Sequence, residues 1–235
     1  MLDARLTSAA KFVRQGATFA DVGTDHAHLP IFLLEKGIIK TAVVSDINKG
    51  PLLRAKENVE RAGLSSFVTL VLTDGARELS GFGISDIAIC GMGGELIADI
   101  IDNAPWLKSE GVRLILQPMS KVATLRTYLS LNGFSLTHED YSFAEGKYYV
   151  ALVAEYTGAS YTLTAAEAEL GKEELIEKRG KEYIGYLYTR LSAYTGRIEG
   201  KRLGGKDFSE DFEIYSQIKR RIEIAEGKND GKADL

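Results

Sequence analysis

Apolar residues in the first two thirds of the chain come in short runs separated by amphipathic stretches. FADVG, TAVVSDI, FVTLVLTD, DIAICGM and RLILQP are of strand length and dominated by Val, Ile and Leu. Between them lie LPIFLLEKG, PLLRAKENVERAG, ELIADIIDNA and KVATLRTYLSLNG, whose apolar positions recur at helical spacing. Strands without polar alternation are buried on both faces, as in a parallel sheet covered by helices. The pattern predicts an α/β fold with a Rossmann-like, doubly wound, mostly parallel sheet. After Asn132-Gly133, FSLTHEDYSF and YYVALVAEY follow each other with EGK between them and no helix, which predicts a closing antiparallel hairpin.

From about Tyr161 the texture changes. LTAAEAELGKEELIEKRGKEYIGYLYTRLSAYTGRIEG, a glycine break and FSEDFEIYSQIKRRIEIAEG predict a coiled-coil-like helical hairpin. Leu163, Leu170, Ile184, Leu187, Leu191 and Ile198 would share one apolar stripe, and Phe208, Phe212, Tyr215, Ile218 and Ile222 the other. Thr164 with Glu167 has capping-box spacing, and Ser209 is the candidate cap of the second helix. The tail KNDGKADL is expected to fray. Two units follow: a Rossmann-like domain over 1–159 and a helical appendage over 160–235.

Composition narrows the classes. In 235 residues, 29 Lys and Arg stand against 33 Asp and Glu, a net charge of -4, so a nucleic-acid site must be a local patch. Arg5, Lys11 and Arg14, with the segments KRGK and KRR, are the basic residues that could form one. Cys90 is the single cysteine, which excludes an internal disulfide framework and a cysteine-rich zinc site. The opening MLDARLTSAAKFVRQG has no continuous apolar run, so neither a signal peptide nor a membrane span is expected there, and the default is a soluble cytoplasmic protein.

In an open parallel sheet, ligands collect beyond the carboxyl ends of the strands, where the strand order reverses. Three acidic residues fall at successive strand ends. Asp21 and Asp25 flank Gly23, whose backbone can turn tightly against a ligand while the carboxylates accept from an ammonium group. Asp46, followed by Ile47, is placed for ribose hydroxyls. Asp74-Gly75 could set a carboxylate against an adenine amino group. A GxGxxG dinucleotide fingerprint would need glycine at 23, 25 and 28, where the chain has Gly23, Asp25 and His28. Carboxylates repel a pyrophosphate and suit a cationic ligand, which favours S-adenosylmethionine. The fourth strand ends in Cys90-Gly91-Met92-Gly93-Gly94, glycines that permit a sharp turn and close backbone approach. It lacks the Asn/Asp-Pro-Pro-Tyr/Phe motif of many amino-group methyltransferases. Cys90 reads as packing, and Asp25, His26 and His28 lack a fourth partner for a metal.

DVGTDHAHLP at 21–30, SDINKGPL at 45–52, TDGARE at 73–78, CGMGGELI at 90–97 and LILQPM at 114–119 together resemble the bacterial tRNA (adenine-22-N1)-methyltransferase family. Arg5-Leu6 and EGKYY at 145–149 extend the resemblance over the whole chain, and Met119 departs from it where asparagine is expected. The resemblance implies methyl transfer from S-adenosylmethionine to N1 of an adenine in the D-loop region of tRNA, with the appendage helping to hold the RNA. The expected cofactor residues are Asp21, Gly23, Asp25, Asp46, Ile47, Asp74, Gly75, Gly91, Met92 and Gly93. Arg5, His26, Gln117 and Tyr148 are expected on the substrate side, and no metal is required. Neutral adenine carries a lone pair at N1, so no strong general base is needed. The fold alone leaves open a small-molecule or protein acceptor, or a binding module without catalysis.

Overall fold

The computed structural model describes residues 2–24 and 26–227. Asp25 and the tail at 228–235 lie outside the described residues, so the readings of both stay expectations. The chain opens with α1 (Ala4–Ala10), whose first turn is capped by Asp3 accepting from the Leu6 amide at 2.8 Å. Then β1 (Thr18–Val22), β2 (Thr41–Asp46), β3 (Val68–Leu72), β4 (Asp86–Gly93) and β5 (Arg113–Ser120) alternate with α2 (His28–Glu35), α3 (Lys49–Arg61), α4 (Gly94–Asp102) and α5 (Val122–Leu131). The expected hairpin is β6 (Phe134–Ala144) and β7 (Lys147–Tyr156).

The seven strands form one sheet in the order β3-β2-β1-β4-β5-β7-β6, and β7 alone runs against its neighbours. Chain order reverses between β1 and β4, so the loops after these two strands diverge and leave a crevice. Successive strand residues face opposite layers, and both layers are apolar. Phe19, Val44, Ala88, Ile115 and Val153 belong to one core, while Ala20, Val43, Ile87, Leu114 and Leu152 belong to the other. This two-sided burial is why the strands read as continuous hydrophobic runs.

The carboxyl-terminal region departs from a simple hairpin. Its first predicted helix is split into α6 (Ala165–Leu170) and α7 (Lys181–Leu203), with α8 (Ser209–Ala225) completing the pair. Gly171 breaks it at φ +75°, and a Cβ there would stand 2.2 Å from Glu139 Oε2. Leu170 is fully buried, and Ile176 bridges to Glu139 of β6, so this segment folds back onto the sheet. Arg126 of α5 and Glu139, both fully buried, fasten it through Nη2–Oε2 and Nε–Oε1 contacts of 2.7 and 2.9 Å. Arg126 Nη1 also donates to the Ala168 and Glu169 carbonyls, which end α6 and have no helical partners of their own.

The capping box at Thr164 and Glu167 is present. Ser209 is not a cap: it is the first residue of α8, and Asp207 accepts from its amide at 3.0 Å. The inner face of α8 is Ile214, Ile218 and Ile222, whereas Phe212 lies outside and stacks on Tyr215. Arg14 is also not part of an active-site strip. Its guanidinium donates to Asp86 Oδ1 at 2.7 Å and to the Ser85 carbonyl at 2.6 Å, at the opposite end of β4 from the crevice. Arg220 and Arg221 of KRR both face Glu173, and Arg221 is buried. Among the described residues no helix is long and apolar enough to cross a membrane.

Candidate functional site

A cavity of about 330 Å³ opens beyond the carboxyl ends of β1 and β4, and Arg5, Asp21, Gly23, His26, Gly91 and Gln117 line it. Gly23, at φ +73°, and Thr24 donate their amides to the Ser45 carbonyl, which ties the turn after β1 to β2. A Cβ at Gly23 would stand 1.8 Å from the Met92 methyl, the end of a flexible side chain, so it is the φ of +73° more than this contact that favours glycine here. Asp21 is buried and makes no ion pair among the described residues. Burial pushes its carboxyl up to about 6, against the opposing hydrogen bond from Thr24. Thr24 in turn accepts from the Ala27 amide at 3.0 Å, linking the carboxylate to the start of α2.

The β4 wall is built around Gln117. Its side chain is buried, its Oε1 accepts from the Gly91 amide at 3.2 Å, and its Nε2 donates to the Pro118 carbonyl at 3.1 Å. Gly91 is left out of the β4–β5 pairing and adopts φ +78°, so Gln117 holds the irregular strand end in place. Gly93 pairs with Ser120, and a Cβ on Gly94 would lie 2.4 Å from the Lys121 carbonyl oxygen. The Cys90 thiol is pushed well up by burial and by Asp21, so it stays protonated and serves as wall. Arg5 pairs with Asp3 at 2.6 Å, lies over the Tyr149 ring and reaches Met119 Sδ at 3.1 Å. Position 119 thus carries a thioether against Arg5 instead of an amide. His26 stacks on His28 with ring centres 5.2 Å apart, and its carbonyl accepts from Asn58 at 3.0 Å.

The other candidates sit outside this cavity. Asp46, half-buried at the end of the neighbouring strand β2, accepts from the Asn48 amide at 2.7 Å, and Ile47 beside it is 60% exposed. Thr73 donates its amide to the Asp46 carbonyl at 3.1 Å, which sets Asp74 and Gly75 next along the same edge of the sheet. Gly75 adopts φ +64° and packs against Ile100. Tyr148 is elsewhere: it stands at the tip of the β6–β7 hairpin, against Phe143 and Gly185 of α7. Thr24, Asp3 and Leu29, which also line the cavity, were missed as site residues. Only Thr24 carried a signal, as a hydroxyl three positions after a carboxylate in one turn. Among the described residues no cluster of three His, Cys, Asp or Glu side chains could hold a metal.

A switch-point crevice with a buried carboxylate that has no ion pair among the described residues at one strand end, and glycine turns at the neighbouring one, fits a Rossmann-like methyltransferase. A model of the methyltransferase domain matches residues 2–152. The tRNA (adenine(22)-N(1))-methyltransferase of Bacillus subtilis is 36% identical over 154 residues, which are 66% of this chain and 65% of that protein. The match therefore spans just under two thirds of that relative's length. A Streptococcus pneumoniae protein solved in complex with S-adenosyl-L-methionine superposes with a TM-score of 0.79 at 32% identity, over 94% of this chain and 100% of that one. The M. capricolum protein TrmK, solved with S-adenosyl-homocysteine, gives 0.72 at 28% identity over 97% of each chain. The chain belongs to the methyltransferase-domain family and, within it, to the bacterial tRNA (adenine-22-N1)-methyltransferase family.

Proposed function

We propose that the protein transfers a methyl group from S-adenosylmethionine to N1 of adenine 22 in tRNA. The observation that carries this reading is Asp21: a buried carboxylate without an ionic partner among the described residues, beside a backbone stripped of side chain at Gly23. That arrangement fits the ammonium and sulfonium of S-adenosylmethionine and would repel a pyrophosphate. Gly23, Gly91, Met92 and Gly93 would border the methionine portion, Asp46 and Ile47 the ribose, and Asp74 and Gly75 the adenine. Asp25 is assigned to the same site on the motif alone. When bound, the cofactor supplies an electrophilic methyl on a cationic sulfur.

The chain's own residues have a positioning task. Adenine N1 attacks without losing a proton, so no side chain need serve as general base, and holding nucleophile and methyl in line out of water can supply much of the barrier reduction. Gln117 fixes the Gly91 turn, and Arg5 and His26, which line the cavity, would meet the incoming RNA. Residues 1–159 form the catalytic unit in this reading, and 160–235 the appendage that grips tRNA.

Replacing Asp46 tests the cofactor site. Asp46→Ala removes a charge-assisted partner of the ribose hydroxyls and should weaken S-adenosylmethionine binding by at least about tenfold in titration calorimetry. Unchanged affinity would remove Asp46 from the site.

A further inference from the structure

The tip of the β6–β7 hairpin carries an aromatic side chain that the cofactor site does not use. Phe143 is 48% exposed although the four residues before it on β6 are buried. It is not a loose surface residue. The turn is closed by Glu145 at φ +49° and Gly146 at φ +76°, the two-residue geometry that matches strand twist and makes a stiff hairpin. Tyr148 packs behind Phe143 with ring centres 4.7 Å apart. Tyr148 is itself backed by α7 at Gly185, where a Cβ would come within 2.2 Å of the tyrosine ring and hydroxyl. A glycine in mid-helix costs stability, and here it admits the ring that braces Phe143.

The surroundings of Phe143 are polar, with lysines and the carboxylates of Asp140 and Glu182 side by side. On one side lies a cleft of about 480 Å³ that includes Lys11, Lys178 and Ser142; on the other, a cleft of about 300 Å³ with Lys181 and Glu182. Lys11 is taken by Asp140 and Lys181 pairs with Glu182, but Lys178 and Lys147 make no ion pair among the described residues. Ser142 is buried and its hydroxyl, on the larger cleft, has no hydrogen-bond partner among the described residues. The hairpin lies beside the cofactor cavity: Arg5, which lines that cavity, covers the ring of Tyr149 at 5.4 Å.

We propose that Phe143 is a stacking platform for an RNA base neighbouring the one that is methylated, with Lys178 and the Ser142 hydroxyl receiving the phosphate and ribose of that nucleotide. An exposed aromatic ring flanked by lysines is the arrangement that holds single-stranded nucleic acid, because every base offers a π-face and every phosphate a charge. Holding the neighbour keeps the target adenine unstacked at the cavity mouth. Phe143 is thus a positioning residue, and Tyr148 acts through it. The proposal rests on tRNA being the substrate.

The test uses the full-length protein and an unmodified tRNA transcript with labelled S-adenosylmethionine. Phe143→Ala should raise KM for tRNA by about tenfold or more, the size of a lost base-aromatic stack, while KM for the methyl donor stays within twofold. Phe143→Trp should restore KM and Phe143→Leu should not. Lys178→Ala should flatten the salt dependence of tRNA binding by about one unit. A tRNA KM within twofold of wild type for Phe143→Ala, or rescue by leucine equal to that by tryptophan, overturns the platform. If the wild type methylates tRNA and the Phe143 variants do not differ, this inference fails alone. If the wild type does not methylate tRNA, the functional reading fails and this inference with it.

Discussion

At Asp21 the requirements of folding and of binding oppose each other. Its carboxyl is raised to about 6 by burial, so the protonated form is the comfortable one in the protein alone. A folded-state value above the unfolded one means the contribution to stability is full below the ordinary carboxylate range and is lost as pH rises through about 6. Asp21→Asn should therefore make the ligand-free protein more resistant to urea at pH 7.5, by about 1–3 kcal/mol, while weakening S-adenosylmethionine binding. If Asp21 faces the ammonium as proposed, wild-type affinity should fall by up to tenfold per pH unit below about 6, as protonation removes that charge, and the asparagine variant should lack this dependence. Binding that is constant from pH 5 to 8 would show that Asp21 does not face the cation. Part of this was legible beforehand: the carboxylate, the glycine and their place at a strand end followed from the motif. The methyl group of Met92 over Gly23 was not, because it comes from the end of a different strand.

Among the elements, β1 to β5 and α2 to α5 were legible because each is buried in a way its own pattern records. The carboxyl-terminal helices were less so. Leu163 and Leu170 continue the heptad-like stripe of α7 on paper, but the contacts that bend the chain at Gly171 come from Glu139, on a strand distant in sequence. The same applies to Arg14, whose partner Asp86 begins β4. A basic residue on an amphipathic helix looks solvated until its acceptor is known. The buried Arg126–Glu139 pair decides whether α6 stays on the sheet, since it satisfies α6 carbonyls as well as its own charges. Arg126→Ala would strand a fully buried carboxylate, and should cost about 3–5 kcal/mol by urea unfolding. A loss below about 1 kcal/mol would mean that Glu139 finds another partner or takes up a proton at little cost.

For the whole molecule, a net charge of -4 leaves RNA recognition to one face. Arg14 and Arg221 are occupied within the fold, whereas Lys147 at the hairpin tip and Lys178 before α7 make no ion pair among the described residues and are available to phosphate. In the proposed reading the crevice, Phe143 and the segment before α7 would meet the RNA together. The central claim is that this surface presents adenine 22 of tRNA with N1 toward a methyl sulfonium. Mass mapping of nuclease fragments after incubating purified protein, unmodified tRNA transcript and labelled S-adenosylmethionine tests it most directly. The account predicts one methyl group per tRNA, at N1 of adenine 22. Methylation at N6, methylation at another nucleotide, or label that never enters the RNA would contradict it.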